Sequence, residues 1–388
     1  MRFPAFLTAL TFGLVAFVGL RGGASAEVPA PVRIGLSAPL TGPDAAFGQG
    51  LRIGAEQAVA DLNRAGPRRY ALTTADDSGE PRQAAAVAAR FAADNFAFVV
   101  GPFESSAVAA AAPVYARSGT VFMTPGATYG SLTGRGLWNL FRLGPSDPQQ
   151  ARAAADYLAR TFADRPIAVV NDRTGFGRAM ADAAAERLRS LGQREAVADS
   201  FDRGSVDLTA LVRRLAEAKV EAVYFGGMAP DAATLVRALR EAHLGATLVA
   251  GDGLLDPAFA TVGAPGEGTV MTAPPEAPRL PVPPNGKVQP LTPEGATVAA
   301  SAYAAVQILA QALERGASPD PRTGRVDGRK LAQALRAGPF RTLVGPVAFD
   351  AQGDESDDRV VALRVWRRQP DGRLDFAGPA LPVSPRPN

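Results

Sequence analysis

VRIGLSAPLTGPDAAFGQGLRIGAEQAVADLN, residues Val32–Asn63, carries two periods in one run. VRIGLSA is a short apolar run of the kind a buried strand makes, and FGQGLRIGAEQAVADLN places its apolar residues at helical spacing. The same change of period repeats down the chain. YALTTA precedes the helical PRQAAAVAARFAAD, FAFVVG precedes SSAVAAAAPVYARSG, and TVFMTP closes the series. After LWNLFRLGPSDPQQ the alternation restarts with a helix over 149–163, then PIAVVND, GRAMADAAAERLRSLG, REAVADSF, LTALVRRLAEAK, EAVYFGG, DAATLVRALREAH and TLVAGD. Apolar strands alternating with amphipathic helices predict an α/β fold whose parallel sheets are covered on both faces. Two series predict two Rossmann-like lobes, each with a pocket edge at the C-terminal ends of its strands.

The remainder is less regular. Ala273–Gly295 is Pro-rich and reads as an exposed loop, because proline has no N–H for a helix interior. The helices ATVAASAYAAVQILAQALERG and GRKLAQALRAG follow, then FRTLVGPVAFDAQGD and a strand pair around RVVALRVWRR and RLDFAG. Late helices need a sheet to pack on, and returning them to the first lobe makes both domains discontinuous. The expected division is 32–142 with 273–345 and 146–270 with 347–388.

The chain has 388 residues, 47% of them hydrophobic and 20% charged, and a formal charge of +3. Residues 1–26 hold Arg2 and Arg21 and no acid; without them 39 basic side chains face 38 acidic ones. That balance gives no basic patch for nucleic acid or anionic lipid, and Arg364, Arg367 and Arg368 read as the solvated edge of a terminal strand. FLTALTFGLVAFVGL followed by the small-residue ending Ala24–Ala26 reads as an export signal, cut after Ala26. No later segment reads as long and apolar enough to span a bilayer. There is no cysteine, which removes disulfides and a lipid anchor on cysteine.

The missing residue types exclude much chemistry. The first lysine is Lys219, so no Gly-rich loop of the first half carries a phosphate-binding lysine. His243 is the single histidine, placed at a helix end before Gly245. One histidine and no cysteine leave zinc and most transition-metal sites unsupported, and no cofactor is expected. Gly48, Gly50 and Gly54 in GQGLRIG imitate a dinucleotide fingerprint, but the loop LTGPDAAF separates them from their strand. They read as close helix-to-sheet packing. In GPFESSAVAAAAP (Gly101–Pro113) two serines open a helix, where they serve either as caps or as anion ligands.

IGLSAPLTGPDAAFGQGLRIGAEQAVADLN, DDSGEPRQAAAVA, VVGPFESSA, TPGAT, FRLGPSD, VYFGG and GPVAFDAQGD, in that order and spacing, resemble periplasmic solute-binding proteins of the branched-chain amino acid (Leu/Ile/Val) type. The resemblance covers nearly the whole chain after the export segment. It implies a type I periplasmic binding protein: two lobes joined by three crossovers, closing on a ligand and serving an inner-membrane ABC permease. It further implies that Ser105 and the hydroxyl and N–H of Thr128 receive an α-carboxylate. The Gly126 carbonyl and Asp252 would then receive the α-ammonium. Donors for one end of a buried zwitterion and acceptors for the other make a coherent set.

Phe47, Phe176 and Met228 stand where relatives often have tyrosine, while Tyr303 matches the family; these residues serve either the core or the cleft, and a cleft lined by them is expected to take an apolar side chain. Asp252 is one methylene shorter than the usual glutamate, and the Pro-rich loop replaces a helix of typical relatives. Asp76 and Asp77 read as structural carboxylates at a strand end, and Glu104 must turn away from a carboxylate site, or the ligand is not a simple amino acid. The expected protein is a monomeric periplasmic receptor. The alternatives are the same scaffold holding a short amide, urea or an aromatic acid, and, third, an exported enzyme.

Overall fold

The computed structural model describes Met1, residues 29–356 and residues 360–376. The expected export signal and its cleavage after Ala26 lie outside the described residues. In the first lobe, β1 (Val32–Ala38), α1 (Ala45–Ala65), β2 (Tyr70–Asp76), α2 (Pro81–Ala93), β3 (Phe98–Val100), α3 (Ser105–Ser118), β4 (Val121–Thr124), α4 (Ser131–Gly134) and β5 (Leu140–Arg142) follow one another. Their strands form a parallel sheet in the order β2-β1-β3-β4-β5. The chain then passes to α5 (Asp147–Thr161), β6 (Ile167–Asn171), α6 (Gly175–Ser190), β7 (Val197–Ser200), α7 (Thr209–Glu217), β8 (Ala222–Gly226), α8 (Ala229–Glu241), β9 (Thr247–Ala250) and β10 (Val270–Ala273).

It returns as α9 (Pro293–Glu314), α10 (Gly328–Arg336) and the hairpin β11 (Phe340–Thr342) and β12 (Gly345–Val347). The described residues end with β13 (Ala362–Val365), β14 (Arg367–Arg368) and β15 (Leu374–Asp375). The second sheet runs β13-β10-β9-β8-β6-β7, with β13 antiparallel to β10 on its edge. RVVALRVWRR therefore splits: part joins this sheet, and Arg367–Arg368 pairs with Leu374–Asp375.

Side-chain alternation distributes each strand between two cores. Phe98 and Val100 pack with α1, α9 and α10, while Val99 faces Phe91, Val108 and Phe122 on the other side. In β8, Val223 and Phe225 face α7 and α8, and Tyr224 faces α5 and α6. Strands buried on both faces are what the continuous apolar runs required.

Three expectations need correction. Ala273 belongs to the second sheet, whereas Val347 and Phe349 pack in the first lobe's core, so the crossovers lie slightly later than expected. Gly50 and Gly54 meet a helix, not the sheet. A Cβ on Gly50 would sit 2.2 Å from the Gly295 carbonyl oxygen, and one on Gly54 2.0 Å from that of Ala299. The glycines thus seat α9 directly on α1. Finally, Glu294–Glu314 is long and apolar enough to cross a membrane by length and composition. Its face is spent on the first lobe's core, where Ala302, Val306 and Leu309 are buried.

Candidate ligand-binding site

The C-terminal ends of β3 and β4 carry the first half of the site. Glu104 precedes α3 and makes no side-chain capping bond, so Ser105 is the first residue inside the helix rather than its cap. The Ser105 hydroxyl accepts the Tyr129 N–H at 3.3 Å, which fastens the start of α3 to the loop after β4. That loop carries Gly126 and Thr128. A Cβ on Gly126 would lie 2.1 Å from the Phe103 ring, and Phe103 stacks on Phe47 with centroids 5.0 Å apart. An aromatic pair therefore walls this half. Phe103 was not singled out in the sequence, although it sits inside GPFESS.

Arg142 holds the loop from below. It is fully buried at the end of β5 and donates to the carbonyls of Ala127 (2.8 Å) and Tyr129 (3.0 Å), to Thr133 Oγ1 (2.7 Å) and to Asp354 (2.8 Å). Nothing local marks this arginine: its partners include a residue more than two hundred positions away.

The second half stands on α5. Ser146 caps that helix through a reciprocal bond pair with Gln149, which sets the direction of its first turn. The Asp147 N–H donates to the Thr128 carbonyl at 2.8 Å, crossing directly from one lobe to the other. One turn on, Gln150 Nε2 donates to Asp252 Oδ2 at 2.7 Å. Thr128 and Asp252 are thereby linked through a single helical turn. Met228 adjoins them, its sulfur 3.1 Å from where a Gly253 Cβ would stand. Phe176 opens α6 and packs against the core between α5 and α6.

Tyr303 is not brought to this set. It is buried within α9, and its hydroxyl donates to Asp61 near the far end of α1 at 2.8 Å. The helix that carries it faces α1 and the sheet, so its part is structural. His243 is exposed and adopts a left-handed conformation (φ 57°) just past α8.

The carboxylates differ by their partners. Asp76 accepts from Thr41 Oγ1 and the N–H groups of Leu40 and Ser78; burial pushes its pKa up, but these bonds outweigh it and leave the value lowered. Asp77 is buried and raised by that burial, partly offset by Ser37 and the Gly79 N–H. Both serve the strand end. Burial pushes Asp252 up to about 6, against the Gln150 bond, with Asp147 adding to the rise. Asp147 is raised by burial too.

Glu104 turns back onto Gly79, and both its carboxyl oxygens are buried without a hydrogen-bond partner. Burial, followed by the nearby Asp77 and Asp44, pushes its pKa up to about 7. A carboxyl raised in the fold costs nothing while protonated and destabilises progressively as pH rises through the raised value. Glu104→Gln is expected to stabilise the protein above about pH 8, by about 1–2 kcal/mol once solvent screening of a partly exposed group is allowed for, and to be neutral near about pH 4. Denaturant titrations at the two pH values check this; equal effects at both would refute it.

Residues 31–367 match the family described as periplasmic binding protein. The chain is 35% identical over 370 residues to Leu/Ile/Val-binding protein homolog 1 of Brucella melitensis, covering 94% of this chain and 96% of that one. It is 36% identical over 355 residues to the Leu/Ile/Val-binding protein BraC3 of Rhizobium johnstonii, covering 90% and 94%. Among solved structures, an ABC transporter substrate-binding protein of Desulfitobacterium hafniense in complex with Leu superposes with a TM-score of 0.68 at 26% identity, covering 89% of this chain and all of the other.

Proposed function

The chain belongs to the periplasmic binding protein family, and from that premise we propose that it is the receptor of an ABC importer, capturing an amino acid between its lobes for a membrane permease. Solute binding is common to the family, which is not one of enzymes, and the family places the protein in the periplasm. The route there is the export signal proposed at residues 1–26, so exported protein should begin at Glu27. It works as a monomer in this reading. The names of the relatives point to a branched aliphatic ligand, and Phe47, Phe103, Phe176 and Met228 suit an apolar side chain.

One observation carries the reading. The bond from Asp147 N–H to the Thr128 carbonyl, continued by Gln150 to Asp252, sets hydrogen-bond donors of one lobe against a carboxylate of the other. A zwitterion fits between them: its carboxylate on the Ser105 hydroxyl, the Thr128 side chain and the uncapped N–H groups of α3, and its ammonium on the Gly126 carbonyl and Asp252.

Calorimetry with L-leucine and with isocaproate, the same skeleton without the amino group, tests this. L-leucine should bind and isocaproate should bind far more weakly. Equal affinities would favour a ligand without an ammonium, such as an aromatic acid. Ser105→Ala should weaken L-leucine about ten- to a hundredfold, a charge-assisted bond of roughly 1.5–3 kcal/mol, because backbone donors remain. An unchanged affinity would remove Ser105 from the site. Closure of the lobes should appear in solution scattering as compaction with saturating L-leucine; an unchanged radius of gyration would refute it.

A further inference from the structure

Behind Asp252 lies a short chain of side-chain hydrogen bonds that ligand contact alone does not explain. Gln150 and Thr272 are both fully buried. The Thr272 hydroxyl donates to Gln150 Oε1 at 2.9 Å, and Gln150 Nε2 donates to Asp252 Oδ2 at 2.7 Å. The first bond decides the second. With its oxygen engaged by a hydroxyl donor, the amide presents its NH2 to the carboxylate, and a flip would set oxygen against oxygen. Gln150 stands on α5 just past the first crossover, and Thr272 on β10 just before the second.

We infer that Gln150 is the positioning residue for the ammonium end of the ligand site, aiming the Asp252 carboxylate while Thr272 locks the amide. The inference rests on the amino acid reading above. A neutral donor suits this task. It orients the carboxylate and favours its charged form without cancelling that charge, whereas an arginine there would compete with the ligand. Among the described residues no cationic side chain pairs with Asp252.

The other ionisable groups around Asp252 do not take Gln150's place. Asp147, on the same face of α5, has a buried carboxyl oxygen without a partner and opposes the charged form, while the Tyr224 phenol of β8 stays neutral because burial, with Asp252 nearby, pushes its pKa up. Asp172, just past β6, accepts from Thr174 through Oδ1 and leaves Oδ2 buried without a partner, and Asp231 of α8 accepts the Gly204 N–H. β10 offers only the Thr272 hydroxyl.

Gln150→Leu keeps the volume and removes the donor; Thr272→Val keeps the shape and removes only the lock. L-leucine should weaken about ten- to a hundredfold in the first and about three- to tenfold in the second, with isocaproate unchanged in both. Carbon NMR of labelled aspartate carboxyls in the ligand-free protein supplies a readout that packing alone would not move. The Asp252 midpoint should rise above its wild-type value in both variants, more in Gln150→Leu. Equal losses for the two ligands, or an unmoved midpoint, would overturn the inference. A wild-type protein that does not distinguish L-leucine from isocaproate would overturn the amino acid reading and with it the purpose given to Gln150. The midpoint would still report whether the amide holds the carboxylate.

Discussion

Asp252→Ala is expected to weaken L-leucine between about a hundredfold and several thousandfold, the largest effect of any single substitution in the proposed site. Removing the carboxylate leaves an ammonium unpaired in a closed cleft, at a cost of about 3–5 kcal/mol. No backbone group replaces the lost charge, unlike at Ser105, where the helix start remains. The pH dependence follows from the same group. Burial holds Asp252 near about 6 without ligand, so above that value it is ionised and ready for an ammonium. Below it, binding must first expel a proton, and affinity should fall about tenfold per pH unit. Asp252→Asn should abolish that slope along with most of the affinity. Calorimetry between about pH 5 and 8 decides this. A wild-type slope retained in Asp252→Asn would assign the titration to another group.

Arg142→Ala is expected to lower stability by about 3–5 kcal/mol, because it removes the guanidinium from the Asp354 carboxylate, which keeps the Thr133 hydroxyl, and from two loop carbonyls. The effect should reach the ligand too. Ala127 and Tyr129 flank Thr128, so their release frees the loop that bears Gly126 and Thr128. Arg142→Lys should recover only part of the loss: an ammonium keeps the charge but not the planar fork that serves four partners. Denaturant unfolding and L-leucine calorimetry on both variants check the claim. A loss under about 1 kcal/mol for Arg142→Ala would show that water satisfies these groups instead.

The site divides sharply by what could be read locally. Of the proposed site, Ser105, Gly126, Thr128 and Asp252 sit at strand-to-helix turns, and their motifs pointed to them through resemblance. Phe103 lay in the same motif but gave no sign that it would cover Gly126. Glu104 had to turn aside, and only the fold shows that it turns onto Gly79 and stays there without a partner. Gln150 and Arg142 gave no signal, since a glutamine on a helix and an arginine at a strand end are ordinary until their partners are known. Tyr303 matched a pattern and yet faces Asp61.

By itself the sequence determined the two αβ series, the exposed Pro-rich connection, the lack of cysteine and the scarcity of histidine and lysine. Those properties depend on spacing of two to four residues and on composition, which the chain states directly. Tertiary structure alone decided that Gly50 and Gly54 seat α9 on α1, that β13 runs antiparallel on the second sheet, and that Asp252, Gln150 and Thr272 meet. Asp252 and Gln150 are 102 positions apart, and Thr272 and Gln150 are 122. Contacts across such separations are fixed by how sheets stack and helices cross, where each buried polar atom must find whichever partner the packing brings within reach.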